Sequence, residues 1–360
     1  MPNPSEKPSR LERRVRQSWR AQACAAGLCV GTQVFLLGTG AAMPLALNSA
    51  WIASLTVLPC AVLIAALCRR AHLQKRKNDR FSRALHALLA ATLFLNAVFA
   101  AAALIEFAQQ TLLPQASAVS IIALAVPALL LCAASGGVGV SRTSFLLRYA
   151  MPVLLLALTL ASMPQQAPAG LFPLLGAGPL PLGAAALCMT AAVSPALMLL
   201  VYPMEIAETG EAAMRCEIPG TRFFLWRVLS GAGTGILLLF AASVCMTYEA
   251  IGESGTWGAR LHMISSGQPH EGLAQMTLTV LQLAAMGLLA ANMLAASAQA
   301  LACAFGRKRR AGLPLLALGL GALLVVLAAN GFGRALFAAP LLAASAAVLL
   351  IFHRRLGTAP

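Results

Sequence analysis

Acidic residues are scarce in this 360-residue chain: 11 Asp and Glu stand against 26 Lys and Arg, and all charged residues together make up 10%. Soluble domains carry about 25% charged residues. The deficit, with 59% hydrophobic residues and mean hydropathy +0.80, excludes that class. Catalytic and ligating patterns are missing as well. There is no G-x-x-x-x-G-K-[ST] run to cradle a nucleotide phosphate and no H-E-x-x-H to hold zinc. The five histidines, His72, His86, His262, His270 and His353, lack ligand spacing. None of the nine cysteines (Cys24, Cys29, Cys60, Cys68, Cys132, Cys188, Cys216, Cys245, Cys303) belongs to a CxxC. Nearly all sit within or at the ends of apolar segments, where Cys acts as a small hydrophobe. An enzyme acting on lipid would gather His, Asp or Glu at one interface, and this chain does not. Neither catalysis, a cofactor nor a bound metal is expected.

What is present is ten apolar segments: Ala21–Leu47, Trp51–Cys68, Leu85–Leu113, Ala116–Ala134, Phe145–Met163, Leu182–Val201, Phe223–Met246, Leu273–Phe305, Leu313–Ala329 and Ala335–Phe352. Each approaches or exceeds the roughly 20 residues a helix needs to cross the hydrocarbon core. Of the 26 basic residues, 24 fall at the two ends or in and beside every second gap, Arg148 and Arg227 standing just inside a segment, and only Arg260 and Arg334 fall in the other gaps. Cytoplasmic loops retain Lys and Arg, so both termini are expected in the cytoplasm. The net charge of +15 therefore points to the anionic inner leaflet rather than to nucleic acid. Ala21–Leu47 is too long for a cleaved signal peptide and is expected to remain as the first span.

The expected fold is an all-α integral membrane protein of ten transmembrane helices. Residues 1–20 form a basic cytoplasmic segment, and residues 21–355 form the membrane domain. Five is odd, so a second half of five segments enters the membrane inverted relative to the first, as an inverted-repeat transporter requires. The halves are about 21–163 and 182–353. Each begins with a breakable helix: Gly38-Thr39-Gly40 and Pro44 in segment one, Ser194-Pro195 in segment six after Pro173, Pro179 and Pro181. A helix that unwinds within the membrane frees backbone groups that a polar ligand can satisfy. Close helix packing and ligand-free kinks are the bland account of the same residues.

Glu106 is the one acidic residue inside a segment, about 10 Å below the outer interface at 1.5 Å per residue. It is expected to face a cavity, a partner or a proton path, or else to snorkel outward. In segment eight, Gln275, Gln282, Asn292 and Gln299 fall within an arc of about 120°. Such a stripe serves either interhelical hydrogen bonds or a cavity wall. Two loops stand out: Thr247–Glu271 on the outer side, with Tyr248 and Trp257, and the inner Glu205–Glu217, which holds Glu205, Glu208, Glu211 and Glu217.

Several stretches resemble the spore-germination permease family, the GerAB type, within the amino acid/polyamine/organocation transporter superfamily. They are Leu37-Gly38-Thr39-Gly40 with Pro44 and Ala50-Trp51-Ile52; Glu106-Phe107 with Leu112-Leu113-Pro114; Leu171-Phe172-Pro173-Leu174-Leu175-Gly176-Ala177-Gly178; and Tyr202-Pro203. The chain departs from the family at Ser194, where members often carry Glu. The resemblance implies a LeuT-like 5+5 inverted repeat with broken helices one and six enclosing a small nutrient, commonly an amino acid. It implies the B subunit of a germinant receptor, with A and C partner subunits, in the spore inner membrane. The ligand residues expected on this reading are Gly38, Thr39, Gly40, Ser194, Pro195, Glu106 and Gln282. A secondary amino-acid transporter, and a scaffold subunit without a ligand, are the alternatives.

Overall fold

The computed structural model describes residues 10–73, 80–135, 137–147, 149, 152–153, 178–201, 221–245, 273–305 and 309–329. Among these residues every regular element is helical. Five helical stretches are long and apolar enough to cross a membrane: Arg20–Ser54, Arg83–Thr111, Pro179–Leu200, Arg222–Val244 and Thr279–Phe305. A sixth crossing is formed if the bent pair Ala118–Ala134 and Gly139–Leu147 counts as one, and Val57–Leu67 and Gly312–Ala328 are shorter apolar helices. Segment ten and most of segment five lie outside the described residues, as do both loops singled out in the sequence.

Segment one changes helix type at the glycines expected to break it and stays helical through them. Helix α1 (Arg10–Leu37) runs into a π-helical turn at Gly38–Ala42 and then into α2 (Met43–Ala46). Two glycines weaken the ladder here. The Thr39 hydroxyl adds to this by donating to the carbonyls of Phe35 (2.9 Å) and Leu36 (3.3 Å), a back-bond that bends helices. The Met43 N–H reaches Gly38 O, keeping the chain helical through the disturbance. The turn comes later, at Leu47, whose φ of 55° is a strained value for a branched side chain. A 3₁₀ turn (Leu47–Ser49) and α3 (Ala50–Ser54) follow, and α3 sets the Trp51 ring edge-on to Phe240, centroids 5.1 Å apart.

Next come α4 (Val57–Leu73), α5 (Arg80–Thr111) and α6 (Ala118–Ala134), whose first turn is capped by Ser117 accepting from Ser120 N–H. Helix α7 (Gly137–Leu147) turns through 102° from α6. The stretch expected as an inner loop around Arg142 is thus helical, and its Ser141 and Ser144 are buried.

Segment six opens at Gly178, whose φ of 111° suits glycine, followed by Pro179 at the first turn of α8 (Pro179–Thr190). It then tightens into a ten-residue 3₁₀ helix, Ala191–Leu200, with every residue buried. Such runs rarely exceed three or four residues. Pro195 lacks the N–H that would reach Ala191 in an α-helix, and its ring crowds that carbonyl. Helices α9 (Thr221–Cys245), α10 (Leu273–Phe305) and α11 (Arg309–Ala329) complete the described chain.

The helices form two packed groups. In one, α1 lies on α9 and on the 3₁₀ helix, with α4 against both of these, and α8 on α3 and the π turn. In the other, α5 pairs with α10, and α6 and α11 pack on each other and on α10. Segments one and two thus pack with six and seven, and three and four with eight and nine. The seam between α1 and α9 brings backbone against backbone. A Cβ on Gly31 would stand 2.6 Å from the carbonyl oxygen of Gly231, and one on Gly231 would collide with that of Gly27. Two small-xxx-small patterns, Gly27/Gly31 and Gly231/Gly235, bring the backbones into contact, as membrane helices do where no water drives apolar burial.

Candidate functional site: a cavity beneath the helix interruptions

Between α1, α9, α10 and the described part of segment five lies a cavity of about 280 Å³. It follows α1 from Cys24 to Leu36 and α9 from Arg227 to Leu238, and it is closed on one side by Gln282, Ala285 and Met286 of α10. Its end at Leu36 and Leu238 abuts the π turn, because the Leu239 side chain occupies the space a Cβ on Gly38 would need. The walls are mainly apolar. Three wall hydroxyls are committed to their own helices: Thr32 donates to Leu28 O, Ser230 to Arg227 O and Thr234 to Ser230 O. The polar groups left are Arg227 and Tyr149 at one end and Gln282 toward the other.

Of the seven residues expected to bind ligand, Gln282 lines this cavity. It is 5% exposed, and its Oε1 has no hydrogen-bond partner. A buried amide oxygen left so costs about 1–3 kcal/mol, which is the mark of an acceptor awaiting a donor. Gly38, Thr39 and Gly40 are buried in the π turn just beyond the cavity end. Ser194 and Pro195 lie within the buried 3₁₀ helix. The Ser194 hydroxyl donates to Asn96 Oδ1 at 2.8 Å, Asn96 Nδ2 to Thr92 O at 2.9 Å, and the Thr92 hydroxyl to Leu88 O at 2.9 Å. This chain of bonds ties segment six to the middle of α5.

Glu106 is buried near the end of α5. Ser297 donates to Ala90 O, and Leu104 lies 3.5 Å from where a Cβ on Gly287 would stand. Helices α5 and α10 therefore run antiparallel, which puts Glu106 at the height of Gln282 to Ala285. The structure places these two polar residues at one level and keeps Ser194 apart from the cavity.

The stripe on α10 divides. Asn292 Nδ2 donates to Ser144 Oγ on α7 at 3.0 Å, an interhelical bond, whereas Gln282 faces the cavity. Gln299 is buried, and the Gln275 side chain lies outside the described part.

Sequence reasoning missed three features. Asn96 is the lone asparagine of α5 and the one amide near its middle, and had that signal. Gln33 is fully buried with neither carboxamide atom partnered, and so is Gln22. Eleven residues apart, they share one helix face at 100° per residue, opposite the cavity. Arg227 belongs by its charge to the inner side of the membrane, and it stands two turns into α9. Its Nη1 donates to the Tyr149 hydroxyl at 3.1 Å.

In fold, the chain is similar to the manganese transporter of Eremococcus coleocola. Against that transporter in complex with an aromatic bis-isothiourea substituted compound, the TM-score is 0.52 at 12% identity, over 94% of this chain and 76% of that one. Two point mutants of it give 0.53 at 14% identity, over 97% of this chain and 79% of theirs. No protein-family model and no curated protein matches the sequence. At such identity the likeness is one of fold. The protein is a multi-pass membrane protein with a transporter's architecture.

Proposed function

We propose that this protein binds a small nutrient, an amino acid by preference, within its transporter-like bundle and passes the event to partner subunits, as the B subunit of a spore germinant receptor in the spore inner membrane. The observation that carries the reading is that segments one and six each change helix type partway along, and that they pack against each other. Segment one has the π turn, segment six has the 3₁₀ stretch, α8 packs on the π turn, and α1 packs on the 3₁₀ helix. The pairing of segments one and two with six and seven, and of three and four with eight and nine, supports a 5+5 inverted repeat. π turns and mid-helix 3₁₀ runs recur where helices hinge. The sequence resemblance supplies the partners, the A and C subunits.

Neutral polar groups surround the interruptions: Thr39, Ser194 and Asn96, with Gln282 and Glu106 at one level nearby. Amide and hydroxyl groups suit a zwitterion, and Glu106 is the one buried carboxylate among the described residues. Ligand drives the switch only through the difference in its affinity for two states. An amino acid that drew Ser194 or Gln282 out of its present environment would supply that difference.

The transporter neighbours favour a second reading, a secondary amino-acid transporter or exchanger. Purified protein in liposomes separates the two. A receptor subunit gives a ligand-induced thermal shift with an amino acid and no saturable uptake of the labelled compound. Saturable uptake supports the transporter. Absence of any shift across amino acids, sugars and nucleosides removes the binding site from both.

A further inference from the structure

The ten residues of the 3₁₀ helix fall into two halves with different local causes. Pro195 accounts for the first, because it lacks the N–H that would reach Ala191 and its ring crowds that carbonyl. It accounts for nothing after itself, since proline is well suited to the first turn of an α-helix. The second half is Ala196-Leu197-Met198-Leu199-Leu200, and alanine, leucine and methionine are among the strongest α formers. Yet the 3₁₀ form holds to its end, where the Val201 N–H bonds Met198 O at 3.0 Å, three residues back. Hydrogen-bond geometry in a 3₁₀ helix is poorer than in the α form. Local preference and observed form therefore conflict over these five residues, and such conflicts gather at functional or strained sites.

What holds the second half stretched is tertiary. The polar tie is the Ser194 hydroxyl on Asn96 Oδ1 at 2.8 Å, anchored in turn by Asn96 Nδ2 on Thr92 O at 2.9 Å. At three residues per turn, Ser194, Leu197 and Leu200 share one face, and all three are buried. The bond thus fixes the face that the stretch turns toward α5, and an α form would spread the three apart. Release does not leave the hydroxyl without a partner. In an α-helix a serine reaches the carbonyl four residues back, here that of Thr190.

We propose that the bond between Ser194 and Asn96 is a latch, and that segment six switches between the latched 3₁₀ form and an unlatched form in which Ala196–Leu200 is α-helical. Passing from about 2.0 to about 1.5 Å of rise over five residues shortens the stretch by about 2.5 Å, and passing from about 120° to about 100° per residue turns its Leu200 end by about 100°. Helices α1 and α4 both pack on this stretch, so the switch is delivered to segments one and two. The latch goes beyond the nutrient reading and does not rest on it, and its test uses no ligand.

NMR of the full-length protein in lipid nanodiscs, labelled at its methionine methyls, reads the two forms at the buried Met198, whose signal Met198→Leu identifies. Ser194→Ala should raise a second Met198 signal relative to the first by about threefold to twentyfold, the factor of one hydrogen bond between membrane helices. Asn96→Leu should raise the same signal from the other side of the bond. Should that variant fail to fold, Ser194→Ala, the loss of a single oxygen, carries the test. The form itself is read from the contact between the Ala196 Hα and the Leu200 N–H, which is close in an α-helix and distant in a 3₁₀ helix. Growth of the second signal together with that contact supports the latch. Folded variants that are merely less stable, with one Met198 signal and no such contact, overturn it. So does a second signal that arises without the contact, since side-chain repacking alone would then explain it.

Discussion

The Ser194 hydroxyl donates to the Asn96 carboxamide oxygen at 2.8 Å, pinning the 3₁₀ stretch of segment six to the centre of α5. Both residues are fully buried or nearly so, and the bond joins the two packed groups of helices across their interface.

Removing it should be felt as a pairwise term. A double-mutant cycle with Ser194→Ala and Asn96→Leu, read by thermal unfolding in detergent, should give a coupling of about 0.6–1.7 kcal/mol, the range of buried hydrogen bonds between membrane helices. Additive effects would show that the contact contributes nothing to stability.

The seam of α1 and α9 predicts a contrast between two glycines on one helix. Gly231→Ala places a methyl against the Gly27 carbonyl, whereas a Cβ on Gly233 meets nothing within 4 Å. Gly231→Ala should cost about 1–3 kcal/mol, the usual penalty of overpacking, and lower the unfolding midpoint. Gly233→Ala should leave it unchanged or raise it slightly through helix propensity.

Gln282→Leu should separate stability from binding. Removing a buried acceptor without a partner should raise the unfolding midpoint, by up to about 1–3 kcal/mol. The same variant should lose the amino-acid-induced thermal shift. A variant that is stabilised and still responds to ligand would take Gln282 out of the site.

Gly38→Ala should damage packing by colliding with the Leu239 side chain, and Leu239→Ala in the same chain should restore most of the lost stability. If the double variant also recovers the ligand response, Gly38 serves helix packing. If stability returns and the response does not, the π turn itself is required for binding.

Much of the architecture was legible because its causes are local. Pro195 and the glycines at 38 and 40 disturb their helices wherever those helices pack, so the positions of both interruptions could be read from residues. Their form could not. Whether a weakened ladder unwinds, widens into a π turn or tightens into a 3₁₀ helix depends on what surrounds it. Here Leu239 fills the space at Gly38, and full burial holds Ala191–Leu200 together. The stretch around Arg142 falls between two apolar segments and so reads as a loop, yet Ser144 bonds Asn292 and docks α7 into the bundle.

Hydropathy and the placement of Lys and Arg determined by themselves that this is a multi-span membrane protein, and they set the order of its segments. Burial in lipid and retention of charge are properties of a segment and its flanks. Tertiary structure decided which polar side chains meet. The carboxamides of Asn96 and Asn292 find hydroxyls on other helices, those of Gln22 and Gln33 find none, and the Gln282 oxygen faces a cavity. Partners so distant along the chain are fixed by how helices cross, and Gly27, Gly31, Gly231 and Gly235 set the crossing of α1 and α9.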